Sequence, residues 1–243
     1  MLLRPWQGRS TLGRRLILLA VLFMVVAGSM TALWQHHERA AAAAVRIARC
    51  DRFTTLQDAR AAAVSGHGAR VVVIGDSWSA GYGLPDPDRS WSTRLPGRVY
   101  VDGFPGSGFS EHASGCHRVS YADRAPRDLR HGASLVVVEG GLNDFDQSTA
   151  NITYGFDRLI KELRGHRVVI VGPAMAPSRA AYVPRVNHLL AELSKKADVP
   201  YFSTVDLKLT YQADELHPNQ AGADAFGDAV AAFIAAHPAR QPA

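Results

Sequence analysis

The chain reads as an α/β domain of three layers, with a mainly parallel five-stranded sheet between helices. Three observations predict it. Short runs rich in β-branched or aromatic residues recur at 71–74, 98–101, 135–138, 168–171 and 201–202, and the first, third and fourth are wholly apolar. Uninterrupted apolar runs of this length suit strands buried on both faces. Helical patterns alternate with them. Residues 152–163 place Ile152, Phe156, Leu159, Ile160 and Leu163 on one face, and 179–197 and 221–236 are longer segments of the same kind. Shorter helices are expected near 91–95 and over 126–131. Finally, strand ends run into turns rich in Gly, Asp, Asn and Pro, as at 75–77, 102–109, 139–144 and 172–173. Strands alternating with helices imply parallel pairing with helices on both faces.

At 243 residues the chain is long enough for one ordinary core plus a tail, and 47% hydrophobic with 20% charged residues is a globular composition. The net charge of +5 hints at nucleic acid, but its distribution argues otherwise. Residues 1–50 hold seven arginines against the single acid Glu38, a net of +6, which leaves −1 for the remainder. No basic nucleic-acid footprint lies on the globular part.

That basic excess flanks an apolar stretch. Residues 1–15 are Arg-rich and read as a cytoplasmic segment; 16–34 carry no charge, about the ~20 residues a helix needs to cross a bilayer. Positive charge before the span places the remainder outside. An uncleaved signal anchor is expected, since the uncharged span continues to Trp34. A cleaved signal peptide ending near Ala27-Gly28-Ser29 is the alternative. Residues 35–67, with their alanine run, form a helical stalk or linker. The globular domain is expected over 68–238, and 239–243 form a tail. Two cysteines, Cys50 in the stalk and Cys116 beyond the glycine loop, are a disulfide candidate in an oxidising compartment, with two buried thiols as the alternative.

Chemistry-bearing residues gather at strand ends. The first strand runs into Gly75-Asp76-Ser77, where a serine could act as a nucleophile or simply start a helix. No G-x-G-x-x-G or P-loop follows, and the G-x-S-x-G elbow fails because Ser79 occupies its second glycine position. The second strand ends in Asp102-Gly103-Phe104-Pro105-Gly106-Ser107-Gly108, and the third in Gly140-Gly141-Leu142-Asn143-Asp144. Before the last helix stands Asp214-Glu215-Leu216-His217, where an acid three residues ahead of a histidine can reach back to one imidazole nitrogen and free the other as a base.

Four such blocks in this order resemble the SGNH (GDSL-type) hydrolase family over about residues 68–238. The resemblance implies a flavodoxin-like three-layer α/β/α fold and a serine ester hydrolase of esterase, lipase or deacetylase type. Ser77 would be the nucleophile, and Asp214 and His217 the acid and base. Ser77, Gly106 and Asn143 would supply the oxyanion donors. Gly106 is chosen by register, with Gly108 second, because this block departs from the family's N-x-G-x-S-G form: Asp102 lies near the asparagine position and Pro105 replaces the serine. No metal or organic cofactor is implied. The expected partner is a small-molecule or glycan or lipid ester, with membrane contact through the N-terminal helix; oligomeric state is not readable. An acyltransferase using the same residues and a non-catalytic envelope-binding module are the alternatives.

Overall fold

The computed structural model describes residues 11–238, so the expectations for 1–10 and for the tail at 239–243 lie outside the described residues. The chain divides into two compact units, Met1–Ala48 and Arg49–Ala243. Helix α1 (Thr11–Ala62) begins in the first. There Leu16, Leu19, Leu22, Phe23, Met24, Met30, Leu33 and Trp34 are exposed.

The second unit holds a five-stranded, wholly parallel sheet in the order β2-β1-β3-β4-β5. The strands are β1 (Arg70–Gly75), β2 (Arg98–Gly103), β3 (Leu135–Glu139), β4 (Val168–Val171) and β5 (Tyr201–Phe202). The expected three-layer fold is present. Strand alternation sorts the apolar runs into two cores. Val71, Val73, Val99, Val101, Val137, Val169 and Val171 meet Phe226, Val230 and Ile234 of α5 (Gln220–Ala236) on one face. Val72, Ile74, Val136, Val138 and Ile170 meet α2 (Tyr121–Asp128), α3 (Thr149–Glu162) and α4 (Val183–Lys196) on the other, through Tyr121, Ile152, Phe156, Leu159 and Leu190.

Helix boundaries differ from expectation where caps decide them. The segment expected at 126–131 is α2, starting at Tyr121, because Ser120 and Asp123 form a reciprocal capping box; Pro126 lies inside the helix rather than opening it. The segment expected at 179–197 splits into a 3₁₀ turn, Pro177–Arg179, and α4, whose first turn holds Pro184. Residues 91–95 give a 3₁₀ turn, Trp91–Arg94. The part of the stalk from Arg49 onward packs with the globular unit instead of linking to it. Arg60 is 1% exposed, bonded to Ser90, Ser92 and the Ala63 carbonyl. Gln57 donates to Asp102, and Cys50 is disulfide-bonded to Cys116 at a Cα–Cα distance of 5.7 Å.

The strand order fixes where a site can lie. From β1 the chain crosses outward to β2, then back to β3 on the other side. The crevice beyond the carboxyl ends of β1 and β3 is therefore the topological switch point, where open parallel sheets bind ligands.

Candidate active site

Ser77 follows β1 at that crevice. His217 Nε2 lies 3.0 Å from Ser77 Oγ, and His217 Nδ1 lies 2.6 Å from Asp214 Oδ2. The hairpin turn carrying them is built locally: Asp214 Oδ1 accepts the backbone N–H of Leu216 and of His217, each at 3.0 Å, while Glu215 takes a left-handed φ of 55°. The carboxylate thus folds its own turn and orients the imidazole with its other oxygen. Partial burial would raise the Asp214 carboxyl, but the hydrogen bonds from His217 and the backbone hold it below the usual carboxylate range.

Two backbone donors face the same cleft. Among the described residues, neither the Ser77 N–H nor the Gly106 N–H has a hydrogen-bond partner. Gly106 needs its φ of +80° to turn the loop there. Gly108 is placed otherwise: a Cβ on it would come within 2.5 Å of Asp144 Oδ2. That close approach lets Asp144 accept the N–H groups of Phe109 and Ser110 at 3.0 and 2.8 Å and pin the glycine loop. Of the two glycines weighed as oxyanion donors, Gly106 lines the cleft with Ser77, Asn143 and His217.

Asn143 is more committed than its sequence block suggests. Its amide donates to Asp76 Oδ2 at 3.1 Å and to the Ser107 carbonyl at 2.9 Å, so both hydrogens are engaged. Asp76 is fully buried and also accepts the Trp78 N–H at 2.9 Å; burial pushes its carboxyl up to about 6 against that hydrogen bond and the nearby charges. Asp76 orders the turn by accepting the Trp78 N–H. Ser79 is buried too, donating to Glu139 at 2.6 Å and accepting from Trp91 at 3.2 Å. A structural hydroxyl therefore stands where a nucleophile elbow would have glycine.

Asp102, near the family's asparagine position, has a different task. It is buried against Arg124 and Arg127, and Arg124 also bonds the Gly75 and Asp102 carbonyls at 2.8 and 2.7 Å, tying the ends of β1 and β2. Burial opposes its ionisation, but the arginines win and hold it well below the usual range.

Several cleft residues carried no sequence signal. The space, about 340 Å³, is also walled by Arg49 and Phe53 of α1, Tyr82, Phe145 and Arg179. The Tyr82 ring packs 5.0 Å from the His217 ring, and its hydroxyl accepts from Arg52 at 3.0 Å. Tyr82 and Arg52 are 30 positions apart and Phe145 and Arg179 are 34 apart, beyond any local pattern.

Comparison with known proteins identifies the family and the fold. The model of the GDSL-like lipase/acylhydrolase family matches residues 73–225. Among curated proteins none matches in sequence. Similar solved structures include Est24, a carbohydrate acetylesterase from Sinorhizobium meliloti, at 17% identity and TM-score 0.60, covering 70% of this chain and 100% of that one. The inhibitor-bound aryl esterase of M. smegmatis aligns at 17% identity and TM-score 0.60, covering 70% and 99%. A family two carbohydrate esterase from Clostridium thermocellum, in complex with cellohexaose, aligns at 16% and 0.58, covering 71% and 65%. With the family model spanning more than half of its length, the chain belongs to the GDSL-like lipase/acylhydrolase family, a family of carboxylic ester hydrolases.

Proposed function

We propose that this chain is an exported, membrane-anchored serine ester hydrolase that works through an acyl-serine intermediate. The observation that carries the reading is the relay from Ser77 Oγ to His217 Nε2 at 3.0 Å and from His217 Nδ1 to Asp214 at 2.6 Å. His217 takes the Ser77 proton as Oγ attacks the ester carbonyl, and Asp214 stabilises the imidazolium and holds its tautomer. The charge that develops on the carbonyl oxygen meets the unengaged N–H groups of Ser77 and Gly106. Asn143 joins them by turning one amide hydrogen from the Ser107 carbonyl toward the oxyanion. His217 then protonates the departing alkoxide, activates water against the acyl-enzyme, and returns the proton to Ser77 as the acid leaves.

The small cleft and the acetylesterases of like fold favour short acyl groups on aryl or glycan alcohols. For location, the support is a helix near the N-terminus with an apolar span long enough to cross a membrane, preceded by arginines. The Cys50–Cys116 disulfide suits an oxidising compartment. We place the span at 16–34, the stalk after it, and the catalytic unit outside the cell.

Turnover of p-nitrophenyl acetate by the purified protein, with and without sugar acceptors, tests the chemistry. Burst release of nitrophenolate and acetate formation is expected. Acetyl transfer to the sugar in preference to water would make it an acyltransferase, and no turnover at all would leave a binding module. Protease added to intact cells should remove the catalytic unit; full protection would overturn the topology.

A further inference from the structure

The cleft that holds Ser77 and His217 is lined by two guanidinium groups, Arg49 and Arg179, and by no carboxylate. Among the described residues, neither arginine makes an ion pair or donates a side-chain hydrogen bond. Exposed arginines such as Arg89, Arg118 and Arg164 share this with Arg49, but the other partly or fully buried arginines described do not share it with Arg179. Arg60 and Arg124 are buried with their donors satisfied, and Arg94, Arg127 and Arg158 pair with acids. For Arg179 the omission is costly, because its Nη1 is closed off from solvent and has no acceptor. Its guanidinium carbon lies 3.4 Å from the centroid of the Phe145 ring, a cation–π contact that holds the group in place without supplying an acceptor. Burial lowers the Arg179 pKa against the field of Asp146, which forms no ion pair with it.

The backbone around each arginine is tied to the site. Arg179 ends the Pro177–Arg179 turn, and its neighbour Ser178 donates through N–H and Oγ to the Glu215 carbonyl, at 3.1 and 3.0 Å, inside the turn that carries Asp214 and His217. Arg49 precedes Cys50, whose disulfide reaches Cys116 beside the cleft residues Ser114 and Gly115. A guanidinium fork pre-set without an acceptor is a site for a planar or tetrahedral oxyanion group. At about 340 Å³ the cleft is near the lower bound for ligand pockets, so such an anion must belong to the molecule whose ester reaches Ser77.

Building on the hydrolase reading, we infer that the natural substrate is an anionic ester, bearing a carboxylate or a phosphate that Arg179 binds with support from Arg49. The test compares 4-acetoxybenzoate and 4-acetoxyphenyl phosphate with neutral phenyl acetate, all cleaved at an aryl acetate bond. The wild-type protein should prefer at least one anionic ester in kcat/KM by roughly tenfold or more, as a charge-assisted contact supplies. Arg179→Ala should lower that preference about tenfold, Arg49→Ala less, and Arg179→Lys should restore part of it. Which anion is preferred separates a carboxylate-bearing from a phosphate-bearing substrate. A binding arm needs no turnover: titration calorimetry of Ser77→Ala with 4-acetoxybenzoate and with 4-acetoxyphenyl phosphate should show binding that Ser77→Ala/Arg179→Ala loses about tenfold. Hydrolysis of phenyl acetate without anionic preference, or a preference that both variants keep, overturns the inference. Absence of all turnover with anion binding intact would overturn the hydrolase reading and leave the anion site standing. If Arg179 merely props Phe145, Arg179→Ala lowers the melting temperature and slows both ester classes alike, which also overturns it.

Discussion

The Asn143 amide donates to the Asp76 carboxylate at 3.1 Å, joining the loop after β3 to the residue that precedes Ser77. Through it the candidate oxyanion donor and the candidate nucleophile share one buried carboxylate at the switch point. Asn143→Ala should therefore do two things. Losing an oxyanion donor lowers kcat by about 10²–10³, with KM little changed. Leaving Asp76 with one fewer donor in a buried site costs roughly 1–3 kcal/mol. Steady-state kinetics well below the melting temperature, beside urea denaturation, separates the effects. A stability loss with kcat per folded molecule preserved would make Asn143 a turn cap alone.

Ser77→Ala and His217→Ala should each abolish nearly all turnover, by about 10⁴–10⁶, because the pair acts as one unit. Asp214→Asn should cost roughly ten- to a hundredfold less than either, since the carboxylate only orients and stabilises the imidazolium and is 46% exposed to competing water. Folding, followed by circular dichroism, should be unaffected in the first two. Near-normal esterase activity in Ser77→Ala would remove the assignment.

The parts of this molecule that are local in sequence were legible there. The run at 168–171 coincides with β4, since a buried parallel strand announces itself by unbroken apolar residues. Ser77, Asn143 and the Asp214–His217 pair stand at element ends, marked by turn residues, so their convergence followed from the parallel topology. What escaped is long-range polar pairing. Nothing in the alanine-rich stretch containing Gln57 and Arg60 predicts that these two are buried against Asp102, Ser90 and Ser92. It has no apolar stripe, so it read as a solvated stalk. Arg179 and Phe145 escaped for the same reason: 34 positions separate a cation–π pair that only the folded sheet edge brings together.

The disulfide makes that helix segment part of the catalytic unit, and its removal should show how much. Cys50 and Cys116 are 66 residues apart, a loop whose closure in the unfolded chain is worth about 4 kcal/mol by the chain-entropy account. Cys50→Ser/Cys116→Ser should lose a large part of that in urea denaturation. It should also raise KM, because Arg49 and Phe53 are anchored to the cleft by this bond. Equal stability with and without reductant would show that the packing of Gln57 and Arg60 suffices to hold the segment.

Asp144 supplies the sharpest pH test. Its carboxyl is fully buried, makes no ion pair among the described residues, and is pushed up to about 7 by desolvation despite the two backbone N–H bonds it accepts. A carboxyl whose folded pKa lies above its unfolded value near 3.8 keeps its proton longer in the native state. Between about pH 4 and pH 7 the native protein therefore binds more protons than the unfolded chain, and stability falls as pH rises through that window. Each unshared proton contributes at most about 1.4 kcal/mol per pH unit. Asp76, pushed up to about 6, and Glu139, raised by burial and by Asp76, act in the same direction. Asp144→Asn resembles the protonated acid, with one acceptor oxygen kept and the other exchanged for a donor. The variant should match wild type most closely near pH 4.5 and lose less stability than wild type on going to pH 8. Urea denaturation at the two pH values, with the disulfide intact, measures the difference. An identical change in both proteins would mean that Asp144 stays ionised throughout, its two backbone N–H bonds alone outweighing the cost of burial.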